Sequence, residues 1–321
     1  MKKLNGALAA ALLLSPMTAL AQAYPTRPVT VVIAFAPGAS TDIEARIYNQ
    51  KLTELTGQSF VMDYKPGAGT TIGNAYVAKA TPDGYTLQAI TGGFNASPAL
   101  YPKLSYDPVK DFAPISLMSR RTTLIVTNAD TPYKTLKEYI AYARANPGKV
   151  NVATTGAGGS PHLNAAWFHQ LINARPTYVH YKASAPAQTD LMAGRVDLYF
   201  TTALSAVPHL KSGRQRALSI ANLERSPLFP DLLPASELGA PGFDYSSIFG
   251  YITQAAVPQP IIAKLASELQ KTAKDPDVAK RIENDGGFMV GSTPAQFRDI
   301  IVTEIARFRK IVQENNIKLE E

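Results

Sequence analysis

Between Pro28 and Pro37 runs Val-Thr-Val-Val-Ile-Ala-Phe, Val29 to Phe35, in which every residue is apolar or β-branched. So short an apolar run, fenced by prolines, reads as a strand buried on both faces, the pattern of a parallel sheet. Pro37 and Gly38 break it. Thr41-Asp-Ile-Glu44 has the T-x-x-E spacing of a capping box. A helix is therefore predicted from Thr41, with Ile43, Ile47, Leu52 and Leu55 on its inner face and Gly57 as its stop. Strand, tight loop and helix start leave unpaired N–H groups and the positive end of a helix dipole in one place. Such a place holds an anion without an arginine. In open α/β sheets it lies outside the carboxyl ends of the strands, where ligands bind. An ordinary βα turn has the same pattern, and most bind nothing.

The strand does not begin the chain. Lys2 and Lys3, the apolar run Ala7 to Leu14 and the A-x-A of Ala21-Gln-Ala23 form a signal peptide over residues 1–23, so Tyr24 is the expected mature N-terminus. The apolar run is well short of the ~20 residues that cross a membrane. The chain has no cysteine, which removes lipid attachment, disulfides and thiolate chemistry together. An exported, freely diffusing protein is retained by an outer membrane, so the expected location is a periplasm. The formal net charge of +7 favours anionic partners. Export, and Lys and Arg scattered along the chain, argue against nucleic acid; a small anion fits better.

Strands and helices alternate from Val29 to about Asn222, which predicts βαβ units in two domains. Lys65-Pro-Gly-Ala-Gly-Thr-Thr-Ile-Gly73 looks like a dinucleotide loop, but its spacing is G-x-G-x-x-x-G and no suitable acid follows. Its glycines are read instead as letting a helix approach the sheet. Thr91 to Pro98 is read as a loop at a strand's carboxyl end, with Phe94 and Asn95 facing the same cleft as Gly38. Ile115 to Thr127 reads as one long strand between domains, interrupted by Arg120 and Arg121, and Tyr245 to Thr253 as the return. Gly156-Ala-Gly-Gly-Ser-Pro-His162 is a second glycine-rich turn into a helix, with Ser160 as N-cap and Pro161 at N1. Two such loops, one per domain, can clamp the two ends of an anion. The remainder, from Pro260 on, reads as helical.

Four motifs occur in order: Phe35-x-Pro-Gly-x-x-x-Asp42 with Ala45-Arg46; Pro66-Gly-Ala-Gly69 with Gly73 and Ala78-Lys-Ala-x-Pro-Asp-Gly-Tyr-Thr86; Thr155-Gly-x-Gly-x-Ser-x-His-Leu163; and Tyr181-Lys-x-Ser-Ala-Pro-Ala187 with Asp190, Gly194 and Val196-Asp197. Together they resemble the tripartite tricarboxylate transporter substrate-binding proteins, the Bug receptors, over the whole mature chain. The resemblance implies a type II periplasmic binding protein of α/β class, with two lobes, two crossover hinge strands and a ligand cleft. Lobe 1 is then 24–122 with 248–321, and lobe 2 is 123–247. By position it implies that Phe35, Ala36, Gly38, Ser40, Thr41 and Asp42 line one carboxylate site, with Asn95 beside them. Thr155, Ser160 and His162 of the loop around Gly159, with Ala183 and Ala185, would close over the other end. It also implies a small organic carboxylate as ligand and the membrane subunits of a tripartite transporter as partners. A monomer without cofactor, metal or catalytic residues is expected.

Three departures from the family pattern bear on the ligand: Ala39 replaces a second glycine, Thr201 a frequent aspartate, and Phe249 and Tyr251 stand near a common tryptophan. A hydroxyl at Thr201 offers no carboxylate to pair with a ligand amine, which points to amine-free carboxylates. Phe35, Phe94 and Phe249 would sandwich a flat ring such as that of terephthalate; citrate-like acids are the competitor. An exported hydrolase is the rival class, since Ser160 and His162 are close, but no G-x-S-x-G elbow and no H-E-x-x-H occur. A sensory role, presenting the loaded protein to a membrane kinase, would use the same cleft.

Overall fold

Val29, Val31, Val32 and Ile33 are all inaccessible to solvent, as a strand covered on both faces requires. They form β1 (Val29–Ile33) in a computed structural model that describes residues 24–37, 40–181, 183–284 and 286–317. The expected signal peptide, 1–23, and Gly38 lie outside the described residues. After β1 come α1 (Ser40–Thr56), β2 (Phe60–Tyr64), α2 (Thr71–Ala78), β3 (Thr86–Ile90), α3 (Gly92–Leu100) and β4 (Phe112–Arg121). Next are β5 (Thr123–Asn128), α4 (Leu136–Ala145), β6 (Asn151–Thr155), α5 (Ser160–Leu171), β7 (Thr177–Tyr181), α6 (Ser184–Met192), β8 (Leu198–Thr202), α7 (Ala203–Lys211) and β9 (Gln215–Ile220). The chain ends with β10 (Ser247–Gln254), α8 (Gln259–Ala273), α9 (Pro276–Asn284), β11 (Gly287–Met289) and α10 (Pro294–Glu314).

These strands make two sheets, one of six strands in the order β11-β4-β10-β3-β1-β2 and one of five in the order β7-β6-β8-β5-β9. In the first, β1 runs parallel to β2 and β3, while β10 is antiparallel to β3 and β4. In the second, β6 is parallel to β7 and β8, and β5 is antiparallel to β8 and β9. Alternation along β1 sends Val31 and Ile33 into a core with α1 and α8, and Val32 into another with α2 and α10. Phe168, Phe200 and Phe243 centre the core of the second lobe.

The predicted single strand from Ile115 to Thr127 is two strands in different sheets, parted at Thr122. Thr122 N–H donates to Gly286 O at 2.9 Å, and its carbonyl accepts from Ala203 N–H at 3.0 Å. The return is as brief: Tyr245 N–H bonds Ala221 O at 2.8 Å, and Ser247 already pairs with Arg121. The last helix, α10, sits against both lobes. Its Phe308 and Ile311 share an apolar cluster with Ala96 of α3 and Leu163 and Ala166 of α5. Arg307 lies 4.5 Å over the Trp167 ring.

Gly57, at φ +69°, stops α1 as expected. Gly73 does bring α2 against the sheet: a Cβ there would lie 2.9 Å from the Ala34 Cβ. The inner face of α1 differs from the prediction. Ile43 and Leu55 are 49% and 39% exposed, while Thr41, Glu44, Ala45, Tyr48 and Leu52 are buried. Helix α1 starts at Ser40 and turns Glu44 toward β4, where polar partners await it. The predicted loop after β3 is helix α3, with Pro98 within it, and β11 interrupts the helical C-terminal region.

Candidate functional site

A cavity of about 510 Å³ lies between the lobes. Phe35, Thr41 and Glu44 line it from the first lobe, Thr155, Gly159 and Ser160 from the second, and Arg121 and Ser247 from the crossover strands. Four helix beginnings reach it. Thr41 stands at the start of α1, Thr70 is the N-cap of α2, Thr91 that of α3 and Gly159 that of α5. At α2, α3 and α5 no side chain caps the first turn. The same is true of α6, α7 and α8, which start outside the cavity, whereas α4 and α10 carry full capping boxes from Thr135 with Glu138 and Thr293 with Gln296. Uncapped first-turn amides need a partner, and each helix start brings roughly half a positive charge. Two of these starts meet across the cleft, where a Cβ on Gly92 would lie 2.8 Å from Ser160 Oγ.

Of the residues singled out in the sequence, Phe35, Thr41, Thr155, Gly159 and Ser160 line the cavity. Ser160 is the first residue of α5 and Gly159 its N-cap, one position earlier than predicted. Ala36 is exposed on the loop leaving β1, and Ser40 opens α1. Asp42 is buried and engaged: Oδ1 accepts from Tyr64 Oη at 2.8 Å and pairs with Arg46 at 3.1 Å. Ala183 and Ala185 are exposed at the start of α6, away from the cavity lining.

Five of these residues are turned away from the cleft. The helical turn of α3 places Gly92, Gly93 and Ala96 on the cavity and sends Phe94 inward, edge-on to Phe112 at 5.1 Å. Asn95 donates to Glu304 Oε2 at 2.6 Å. Phe249 packs between Tyr48 and Tyr251 in the core. Thr201 is buried and accepts from Gln188 Nε2 at 3.1 Å. His162 lies behind the second loop, where Nδ1 accepts from Gly158 N–H at 3.0 Å; its remaining proton is therefore on Nε2. Burial, and then the neighbouring His180, lower its pKa to about 4, so it is neutral and shapes the loop. The aromatic sandwich is thus reduced to Phe35, and the exclusion of amines through Thr201 loses its basis.

One ion pair in the cavity wall joins residues that no spacing in the sequence connects. Arg121 Nε donates to Glu44 Oε2 at 3.2 Å, and both side chains are buried in the cavity wall. Glu44 Oε1 accepts from Ser119 Oγ at 2.5 Å and from Tyr48 Oη at 3.2 Å. The T-x-x-E pattern had marked Glu44 as a cap residue. The other signal was the arginine pair ending an apolar strand. Strand alternation separates that pair: Arg120 faces Asp244 at 3.5 Å while Arg121 faces the cavity.

The chain matches the family described as tripartite tricarboxylate transporter family receptor over residues 44–317. It is 32% identical to protein BugT of Bordetella pertussis over 302 residues, covering 94% of this chain and 93% of that one. Among solved structures it is similar to Rpa4515 of R. palustris with adipate, at TM-score 0.79 and 30% identity, covering 92% of this chain and all of the other. It is also similar to MatC from Rhodopseudomonas palustris with bound malate, at TM-score 0.75 and 33% identity, covering 90% and 100%. With the two lobes, the crossover strands and the cleft already described, these matches place the chain in the tripartite tricarboxylate transporter receptor family.

Proposed function

We propose that the protein captures a small carboxylate in the periplasm and delivers it to the membrane subunits of a tripartite tricarboxylate-type transporter. The observation that carries this reading is the convergence of uncapped helix starts from both lobes on one cavity. Adipate and malate in two similar proteins support the ligand class. The lobes, 24–122 with 248–321 and 123–247, would close by rotation at the crossover segments. Backbone amides of the first turns, with the hydroxyls of Thr41, Thr155 and Ser160, would then meet the ligand's charge. Each hydrogen bond to a carboxylate contributes about 1.5–3 kcal/mol.

Thermal-shift and calorimetric screening against aliphatic and aromatic mono-, di- and tricarboxylates tests the reading. Saturable binding of at least one acid, weakened by Thr155→Ala without loss of folding, is the expected result. No response to any carboxylate would overturn it.

A further inference from the structure

We propose that Glu304 of α10 is a positioning residue for the ligand cavity, holding the first turn of α3 through Asn95, and that a carboxylate entering the cavity draws a proton onto it. This rests on the carboxylate-capture reading and names a regulation of that same site.

Asn95 is the fourth residue of α3, and Gly92 and Gly93 before it line the cavity. Its Nδ2 donates to Glu304 Oε2 at 2.6 Å, so Glu304 is tied to the turn that presents these amides. Asn95 Oδ1 is buried with no hydrogen-bond partner among the described residues. An amide carries a donor and an acceptor on the same carbon. Turned over, this one accepts from a protonated Glu304, so the tie survives a change of charge there.

Little offsets a negative charge on Glu304. Arg307, one turn on in α10, reaches Oε1 by a single contact of 3.4 Å, and its guanidinium lies 4.5 Å over the uncharged Trp167 ring of α5. Arg120 of β4 is held by Asp244 at 3.5 Å and by Ser246 Oγ at 3.1 Å. Asp244, on the segment entering β10, adds negative charge, and Tyr245 beside it is a neutral phenol in the cavity wall. Burial accordingly holds the carboxyl above its usual range. The side chain is 15% exposed, so a proton reaches it without unfolding.

The charge of Glu304 already reaches Tyr245, a residue of the cavity wall. A ligand carboxylate at the starts of α3 and α5 sets a second negative charge against the same wall. Like charges disfavour each other, and Glu304 relieves the conflict by taking a proton. By linkage, a proton on Glu304 strengthens ligand binding to the same extent. Affinity is therefore greatest where Glu304 is protonated. It falls as pH rises through the pKa of the free protein and levels off above the pKa of the complex. Two charges on either side of one side chain should give a fall of about three- to tenfold, with an uptake peaking at about 0.3–0.5 proton per ligand.

The test is calorimetry on the mature chain from about pH 5 to about pH 8.5, in pairs of non-carboxylate buffers that differ in ionisation enthalpy. The probe is adipate, malate or terephthalate, or failing these the acid that binds most tightly in the screen of mono-, di- and tricarboxylates. The wild type should take up a fraction of a proton per ligand that Glu304→Gln does not; the ligand's own protonation is common to both and cancels in the difference. The ratio of Glu304→Gln affinity to wild-type affinity should grow about three- to tenfold from the acid to the alkaline end. Glu304→Ala, which also breaks the tie to Asn95, should bind at least about fivefold more weakly than Glu304→Gln at every pH. Circular dichroism and thermal melting check that both variants fold. Equal proton uptake by wild type and Glu304→Gln, or Glu304→Ala binding as tightly as Glu304→Gln, overturns the assignment and leaves the capture reading standing. Absence of binding by every acid overturns both.

Discussion

Gly92 and Ser160, on opposite lobes, approach so closely that a methyl group on Gly92 would stand 2.8 Å from the Ser160 hydroxyl oxygen and 3.2 Å from its Cβ. Each is the first residue of a helix, so the two helix starts meet head to head across the ligand cavity.

Gly92→Ala should therefore wedge the lobes apart. The expected effect is a loss of carboxylate affinity of about tenfold with little change in melting temperature, because the added methyl strains the seam between the lobes and not a core. Ser160→Ala in the same chain removes the hydroxyl and should recover part of the closure, read by small-angle scattering with ligand.

The buried imidazoles predict acid sensitivity. Burial lowers the pKa of His169 to about 4. Tyr139 Oη at 2.7 Å donates to its Nε2, and its Nδ1–H donates to Ala165 O at 2.7 Å. His162 is lowered to about 4 as well. Each is neutral when folded and takes up a proton on unfolding, so stability is held above the usual histidine pKa and lost as pH falls toward 4. For His169 the loss should reach about 3 kcal/mol. Denaturant titrations across this range should show it, and His169→Gln should flatten the curve.

Glu304 predicts the opposite slope. Burial raises its pKa, against the lowering effects of Arg307, Asn95 and Arg120; Asp244 adds to the rise. A carboxyl raised in the folded state stabilises the fold at low pH and loses that contribution as pH rises through its folded pKa. Glu304→Gln should therefore melt higher than the wild type in mildly alkaline buffer and show no such advantage in mildly acid buffer.

Gly250 is required for packing. A Cβ there would run into the Phe297 ring and lie 2.8 Å from the Ser116 carbonyl oxygen, in a sheet that cannot move aside. Gly250→Ala should cost about 2–4 kcal/mol in chemical denaturation, while Phe297→Leu in the same chain recovers part of it.

Much of this was legible in local patterns. The buried strand before Pro37 and the stop at Gly57 depend on backbone rules that neighbouring residues state outright, and α5 starts within one position of where Ser160 and Pro161 put it. The sidedness of the site was not. Phe94, Asn95 and Phe249 sit beside the cleft in sequence, but Gly92-Gly93 and Pro98 disguised helix α3, and only its rotation decides which residues face inward. Glu44 was misread for a different reason: T-x-x-E describes a cap only when nothing better competes for the carboxylate, and Ser119, Tyr48 and Arg121 come from distant parts of the chain. Thr201 and His162 likewise carry hydroxyl and imidazole groups suited to a ligand, and find protein partners that no spacing rule reveals.

The C-terminal helix has a consequence for how an acid enters and leaves. Parting the lobes evenly would bring Phe308, Ile311, Leu163 and Ala166 into contact with water. Swinging about that greasy edge, as a door swings on one jamb, keeps them dry. The doorway is then the rim remote from α10, and a change that loosens α10 should speed ligand exchange in both directions before it alters which acid is chosen.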